Sequence, residues 1–338
     1  MKNLTLKDIA KALNISITTV SKALKDYPDV SPKTKARVKA YAEKVNFTPN
    51  TFASYLRTQE SKIIGVIIPQ LNHFFFNDVL KGIIKQAEAH DYMVIVLSSE
   101  ESYQLEQKQV MRLLKQNVDG ILISISDTTH DISHLKQVEE QNVNLIMFDK
   151  YSKLINCPAV VINDRKAAYD AVKHLIDHGK REIAHFRGPL LPQNSIDRFL
   201  GYRQALEDHG IDYKKELVFT CERIDEKEGY AFADEIIKKN IAVDAVFSVA
   251  DLPAVGALKC FNENNIAVPD QIAVMGFSNW LISRFTSPAL STVNQPGTLM
   301  GEEAFSLFLK SNEAKKRGEK VAGDILELDT QLIVRKSS

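Results

Sequence analysis

Cysteine is scarce. Cys157, Cys221 and Cys260 are odd in number and widely spaced among 338 residues, which excludes a disulfide framework and a thiolate metal motif. They read as small buried apolar residues in a reducing compartment. No run reaches the ~20 apolar residues that a membrane span needs. The opening MKNLTLKDIAKAL has a lysine every few residues and no uninterrupted apolar stretch. No secretory leader is therefore expected, and the protein is expected in the cytoplasm. Glycine-rich phosphate loops are absent, as are a Gly-x-Ser-x-Gly elbow and a nucleophile–base arrangement. No enzymatic activity and no cofactor are expected. His174 and His178 stand four apart, a metal-ligand spacing, but no Glu follows the first His and no third ligand is evident, so no metal is expected.

With 44% hydrophobic residues in 338, the chain can bury a substantial core divided into two or three domains. Its formal charge is zero, but the distribution is lopsided. Residues 1–62 hold 12 Lys/Arg against 5 Asp/Glu, and the remainder 31 against 38. A basic head on an acidic body is the pattern of a chain whose one end meets a polyanion.

The first 46 residues predict three short helices. Thr5 with Asp8 reads as a cap before Leu6, Ile9, Ala10 and Leu13 at helical spacing. Asn14 breaks that pattern, Ser16 caps a second helix, and Ser31-Pro32 starts a third. Helix, tight turn and helix with a third behind describe a helix-turn-helix domain over 1–46. A linker at 47–61 follows, in which TFASYLRT is long enough for about two helical turns, too few for a stable helix in water.

From Lys62 the pattern changes to short apolar runs alternating with amphipathic stretches. The runs include IIGVII (63–68), GILIS (120–124), NLIMF (144–148), EIAHF (182–186), DAVFSV (244–249) and IAVMGF (272–277), with a last strand near 325–335. This alternation predicts β-α-β units in parallel sheets. Two such series meeting near Ile162-Asn163 predict two lobes, one near 62–162 plus 292–322 and the other near 163–291 plus 323–338. Ligands of open parallel sheets sit beyond the carboxyl ends of the strands, so the cleft between lobes is the expected site.

The stretches TLKDIAKALNISITTVSKAL, VSPKTKARV and NFTPNTFASYL, in that order and spacing, resemble the LacI/GalR family of bacterial transcription regulators. In the body, HLIDHGKREIAHFRGP, SIDRFLGYRQAL, VADLPAVGAL, PDQIAVMGFSN and LSTVNQP stand where that family's sensor domain has its recurrent motifs. The likeness covers essentially the full length. It implies an all-α helix-turn-helix DNA-binding domain joined to an α/β two-lobed, periplasmic-binding-protein-like sensor. The implied function is sequence-specific transcription regulation, more often repression, under a small sugar-like effector and without enzymatic activity.

In a helix-turn-helix the start of the second helix meets base edges. Ile17 offers apolar contact, Thr18 can donate or accept, and Lys22 can reach guanine acceptors or a phosphate. Thr19 and Ser21 suit phosphates, and Thr5, Ser16, Ser31 and Lys35 suit backbone anchoring. The resemblance implies a hinge helix with Asn50, Ala53, Leu56 and Arg57 at the DNA, Leu56 entering a base step from the minor groove. Two heads would address the half-sites of a near-palindrome, which implies a homodimer. The chain ends at VRKSS without a leucine heptad tail, so no tetramer is expected.

For the effector, the matching positions are His73, Phe74, Asp149, Lys150, Asn163, Arg198, Asp251 and Ser278. Phe74 supplies a planar apolar surface, Asp251 and Arg198 bidentate groups, and the pair Phe75 and Phe76 reads as core. Ala250-Asp251 and Ser278-Asn279 stand where the family often has Asn-Asp and an acidic residue. A lost carboxylate would leave Lys150 and Arg198 less neutralised, a hint of a sugar acid or sugar phosphate, with a neutral sugar nearly as well supported. The rival readings are a solute-binding protein for a transporter, which the basic head opposes, and a sugar-modifying enzyme, which lacks a phosphate loop or acid/base pair.

Overall fold

The computed structural model describes residues 4–45, 47, 60–319 and 323–338, and the chain forms two compact units, Met1–Ser61 and Lys62–Ser338. The hinge positions Asn50, Ala53, Leu56 and Arg57 lie outside the described residues.

The head contains α1 (Leu6–Leu13), α2 (Ile17–Leu24) and α3 (Pro32–Lys44) around Ile9, Leu13, Val20, Ala23 and Val38. Its ends are local chemistry. The Thr5 hydroxyl accepts from the Asp8 amide, and the Asp8 carboxylate accepts in return from the Thr5 amide. Asn14 closes α1 in the left-handed region, at φ 53° and ψ 48°, which asparagine tolerates better than most residues. Ser16 and Ser31 cap α2 and α3, accepting from the amides three residues on.

The larger unit has two parallel sheets. The first lobe's strands run β11-β5-β4-β3-β1-β2, where β1 is Ile63–Ile68, β2 Met93–Ser98, β3 Gly120–Ile123, β4 Asn144–Phe148, β5 Ala159–Ile162 and β11 Ile325–Leu328. The second lobe's run β7-β6-β8-β9, with β6 Ile183–Arg187, β7 Val218–Thr220, β8 Ala245–Ser248 and β9 Ala273–Met275. The pair β10 (Thr292–Asn294) and β12 (Gln331–Ile333) is antiparallel. Helices cover the sheets: α4 (Phe74–Ala89), α5 (Tyr103–Lys115), α6 (Ser133–Glu140) and α11 (Gly297–Lys316) in the first lobe, with α7 (Asp164–Asp177), α8 (Gln193–Asp208), α9 (Glu226–Lys238) and α10 (Asp251–Glu263) in the second.

Helices α4 and α11 touch backbone to backbone through glycine. A Cβ on Gly82 would lie 2.1 Å from the Thr298 carbonyl, and one on Gly301 2.0 Å from that of Val79. One expectation is corrected. Residues 325–328 pair in parallel with β5 and belong to the first lobe's sheet, whereas the sequence reading put them in the second. Asp329-Thr330 divides the expected last strand, and beyond it Arg335 bonds Ser283 and Leu290 and Ser337 bonds Val274 in the second lobe. As a short, half-exposed edge strand, β11 carries no apolar run to say which sheet it joins.

Candidate functional site: an inter-lobe cleft and a basic head

A cleft of about 720 Å³, counted to its open mouth, lies between the lobes at the carboxyl ends of both sets of strands. The segments after β1, β2, β3 and β4 bring Gln70, His73, Glu101, Asp127, Asp149 and Lys150. From the second lobe come Ser195 and Arg198, Arg223 and Ile224, Val249 and Ala250, and Ser278 and Trp280. Loops after the strands hold most of these side chains, and the first two turns of α8 hold Ser195 and Arg198.

Arg198 is held on three sides. Its Nε donates to Asp164 at 2.7 Å, its Nη1 to the Val249 carbonyl at 2.7 Å, and its guanidinium lies 3.7 Å from the Phe277 ring centroid. Burial pushes the Asp164 carboxyl up to about 7, against the pull of Arg198. Asp149 is also raised by burial, which outweighs Arg198 and Lys150 nearby. Lys150 donates to both Glu101 oxygens at 2.8 Å and to Asp127 at 2.7 Å. Burial alone would lower its pKa, but the two carboxylates hold it above the usual lysine value. Lys150 therefore comes ready-neutralised, and Arg198 has Asp164. The premise that Lys150 is left short of a carboxylate is not met, because Glu101 and Asp127, unseen as partners in the sequence, occupy the lysine.

Polar atoms without partners gather here. His73 Nδ1, Ser195 Oγ and Trp280 Nε1 are buried with no hydrogen-bond partner among the described residues, and all three residues line the cleft. Each such atom costs of order 1–3 kcal/mol. Burial, with Lys150 and Arg198 nearby, lowers His73 to about 3, so its ring is neutral and one nitrogen can accept. Phe75 and Phe76 line the same space, and Trp280 meets His73 edge-on at 4.1 Å between centroids. Aromatic planes beside unpaired donors and acceptors suit C–H faces and hydroxyls on one ligand.

The eight expected positions divide. His73, Asp149, Lys150, Arg198 and Ser278 line the cleft. Phe74 is 49% exposed and outside the lining, while Phe75 and Phe76 belong to the core, as read, and their buried rings also supply the apolar wall. One helical position turns the side chain by about 100°, which a run of three phenylalanines cannot reveal. Asn163 caps α7 by accepting from the Lys166 amide and donates to Glu327 at 3.1 Å. Asp251 is fully buried, accepting from the Trp280 amide and from Thr292 Oγ1, both at 2.6 Å. It thus sets the position of Trp280 and does not reach the cleft. Sequence reasoning missed Glu101, Asp127, Ser195, Arg223, Trp280 and Gln295. The signals for them were that Ser195 and Gln295 stand inside the motif stretches SIDRFLGYRQAL and LSTVNQP and that Trp280 is the sole tryptophan.

Burial raises the Asp251 carboxyl to about 7. A raised acid binds its proton more tightly folded than unfolded, so stability falls as pH rises from about 4 to about 7. Asp251→Asn removes the charge; its Oδ1 can still accept from the Trp280 amide, and its NH2 can donate to Thr292 Oγ1 with that bond reversed. It is expected to match wild type near pH 4 and to exceed it by up to a few kcal/mol at pH 8. Urea unfolding across that range checks this, and a pH-independent difference between the two proteins would contradict it.

In the head, Ile17 is 46% exposed at the start of α2, Thr18 is exposed beside it, and Ser21 and Lys22 are half-exposed. Lys22 is paired with Asp29, and Lys35 donates to the Asp26 carbonyl at 3.0 Å. Thr5, Ser16 and Ser31 are engaged as helix caps, and the Thr19 hydroxyl is bonded to Ser16 at 2.8 Å.

Residues 5–50 match the model for bacterial regulatory proteins of the lacI family, and residues 61–323 match that for periplasmic binding proteins and the sugar binding domain of the LacI family. The chain belongs to the LacI family. It is a DNA-binding transcription regulator of that family, and its relatives are regulators, not enzymes. It is similar to the HTH-type transcriptional regulator DegA of Bacillus subtilis strain 168, 29% identical over 335 residues covering 99% of this chain and 98% of DegA. Among solved structures it is similar to the transcriptional regulator CelR–cellobiose complex, with a TM-score of 0.74 and 25% identity over 99% of this chain and 100% of that one. The Lac repressor dimer bound to operator and the anti-inducer ONPF shares the fold, with a TM-score of 0.87 and 24% identity over 99% of each chain. In this LacI-family chain no described helix is long and apolar enough to cross a membrane. The three cysteines are buried and free, and no group of three or more His, Cys, Asp or Glu disposed to hold a metal occurs among the described residues. His174 bonds Ser338, and His178 bonds the His174 carbonyl.

Proposed function

We propose that the chain is a homodimeric repressor whose hold on a near-palindromic operator is set by a polyhydroxylated, sugar-like effector in the inter-lobe cleft. The observation that carries the effector class is the set of three buried, unpaired polar atoms beside aromatic walls. A ligand with several hydroxyls satisfies them together. Because Lys150 and Arg198 already have carboxylate partners, the favoured ligand is neutral. CelR, solved with cellobiose, lends support from a relative.

The head would supply Ile17 and Thr18 to base edges, with Lys22 exchanging Asp29 for DNA. Closing of the lobes on ligand would alter the spacing of paired heads, and the coupling is reciprocal. A thermal-shift screen of sugars, sugar acids and sugar phosphates tests the effector, since a ligand of the native state raises the melting temperature by mass action. The sole tryptophan, Trp280, lines the cleft and reports binding through its emission. A hit among charged sugars only would overturn the neutral-ligand reading.

For the hinge, Leu56→Ala is expected to weaken operator binding by about 30-fold, the loss of one apolar wedge worth roughly 2 kcal/mol. Effector affinity should stay within about twofold, since only operator contact is lost. Gel shift with calorimetry would show it, and equal loss of both affinities would remove the hinge from the proposal.

A further inference from the structure

The loop between β7 and α9 is held in an unusual way. Three successive backbone amides, of Glu222, Arg223 and Ile224, all donate to the Glu228 carboxylate, at 2.9 Å to one oxygen and at 2.9 and 3.1 Å to the other. Converging amides of this kind form an anion-binding concavity, filled here by the chain's own side chain. Glu228 lies three residues after the α9 cap, Asp225. In a capping box the acid at that position reaches back to the amide of the cap residue. Here it reaches past the cap to the residues before it, so end-capping of the helix does not account for it. Asp225 itself takes the Lys227 and Glu228 amides at 3.1 and 2.9 Å.

The backbone so held is strained. Ile224 has φ of 53°, where a β-branched side chain is a genuine outlier. Such conformations persist only where the surroundings over-determine them, and they cluster at ligand sites. Both Arg223 and Ile224 line the cleft. The near end of the loop is tied down too, the Cys221 amide donating to the Arg187 carbonyl at 2.8 Å.

We propose that Glu228 is a positioning residue for the cleft: its carboxylate clamps the 222–224 backbone in a strained conformation that presents Ile224 and Arg223 to the ligand before binding. That the loop meets a ligand rests on the sensor reading above. The clamp itself does not. Preorganisation of this kind spares the ligand the ordering of the loop, so loss of the clamp lowers affinity without removing any group that touches the ligand.

Amide hydrogen exchange on the full chain tests the clamp without a ligand. In wild type the amides of residues 222–224 exchange on the order of 100-fold slower than free peptide. In E228D, one methylene too short, that protection is lost while the strands keep theirs, and in E228Q, which keeps one oxygen and turns an NH2 toward the donors, it is lost at one or more of the three amides. Free-peptide exchange in wild type would overturn the proposal, as would full protection in E228D, which keeps only the charge.

A second measurement titrates Trp280 emission with cellobiose, gluconate and glucose 6-phosphate. Any probe that binds wild type should bind E228Q about tenfold more weakly, equivalent to 1.4 kcal/mol. Unchanged affinity despite lost protection would overturn the positioning role. Silence of all three probes with protected amides would count against the sugar reading and leave the clamp standing.

Discussion

Replacing Arg198 by methionine is expected to abolish the effector response and to destabilise the larger unit by about 3–5 kcal/mol at pH 8, the cost of leaving a buried charge without its partner. The reason is local. Arg198 is the ion-pair partner of Asp164, which is 7% exposed, and it also satisfies the Val249 carbonyl. Without the guanidinium the Asp164 carboxyl, already at about 7, rises further. It is then protonated in the folded protein at neutral pH and ionised in the unfolded one. Stability that depends on a raised acid is lost as pH rises, so the deficit is smaller at pH 6 than at pH 8. Adding Asp164→Asn should restore most of the stability and none of the response, since the ligand's bidentate donor stays absent. Urea midpoints of the two variants, read beside Trp280 titrations, check both halves. A single variant as stable as wild type at pH 8 would show that Arg198 does not carry that buried charge.

The second large effect is steric. Gly82→Ala puts a methyl group 2.1 Å from the Thr298 carbonyl and 2.9 Å from the Glu302 amide. Both are backbone atoms of a 20-residue helix, and neither can rotate away. Helices α4 and α11 must separate, and an overpacked contact of this kind costs about 3 kcal/mol. The consequence reaches the cleft, because the first turn of α4 carries Phe75 and Phe76 and follows His73. A lowered melting temperature together with weakened ligand binding is the expected result. A melting temperature within about a degree of wild type would mean that the two helices are not held at this spacing.

The contrast between the two variants shows what a linear reading captures. Strand and helix positions were legible because burial imposes a pattern: IIGVII, GILIS and NLIMF are almost entirely apolar since both sheet faces are covered. The caps were legible because Thr5, Ser16 and Ser31 act on amides three residues away. Arg198 was legible through its motif. Its partner Asp164 was not, being 34 residues away. The same holds for Lys150, whose partners Glu101 and Asp127 lie 49 and 23 residues off. The reading of Asp251 as a ligand group failed for the same reason, since Thr292, its side-chain partner, is 41 residues distant.

By itself, then, the sequence determined the basic head, the helix-turn-helix, the two series of β-α-β units and the family, because each rests on residues within a few positions of one another. Only the tertiary structure decided the charge balance of the cleft, which phenylalanines face it, the home of β11 and the grip of Glu228 on the 222–224 backbone. Those depend on which strand ends meet across the fold. The energy of a buried charge or an unpaired donor is set by whatever the chain brings beside it from far along its length.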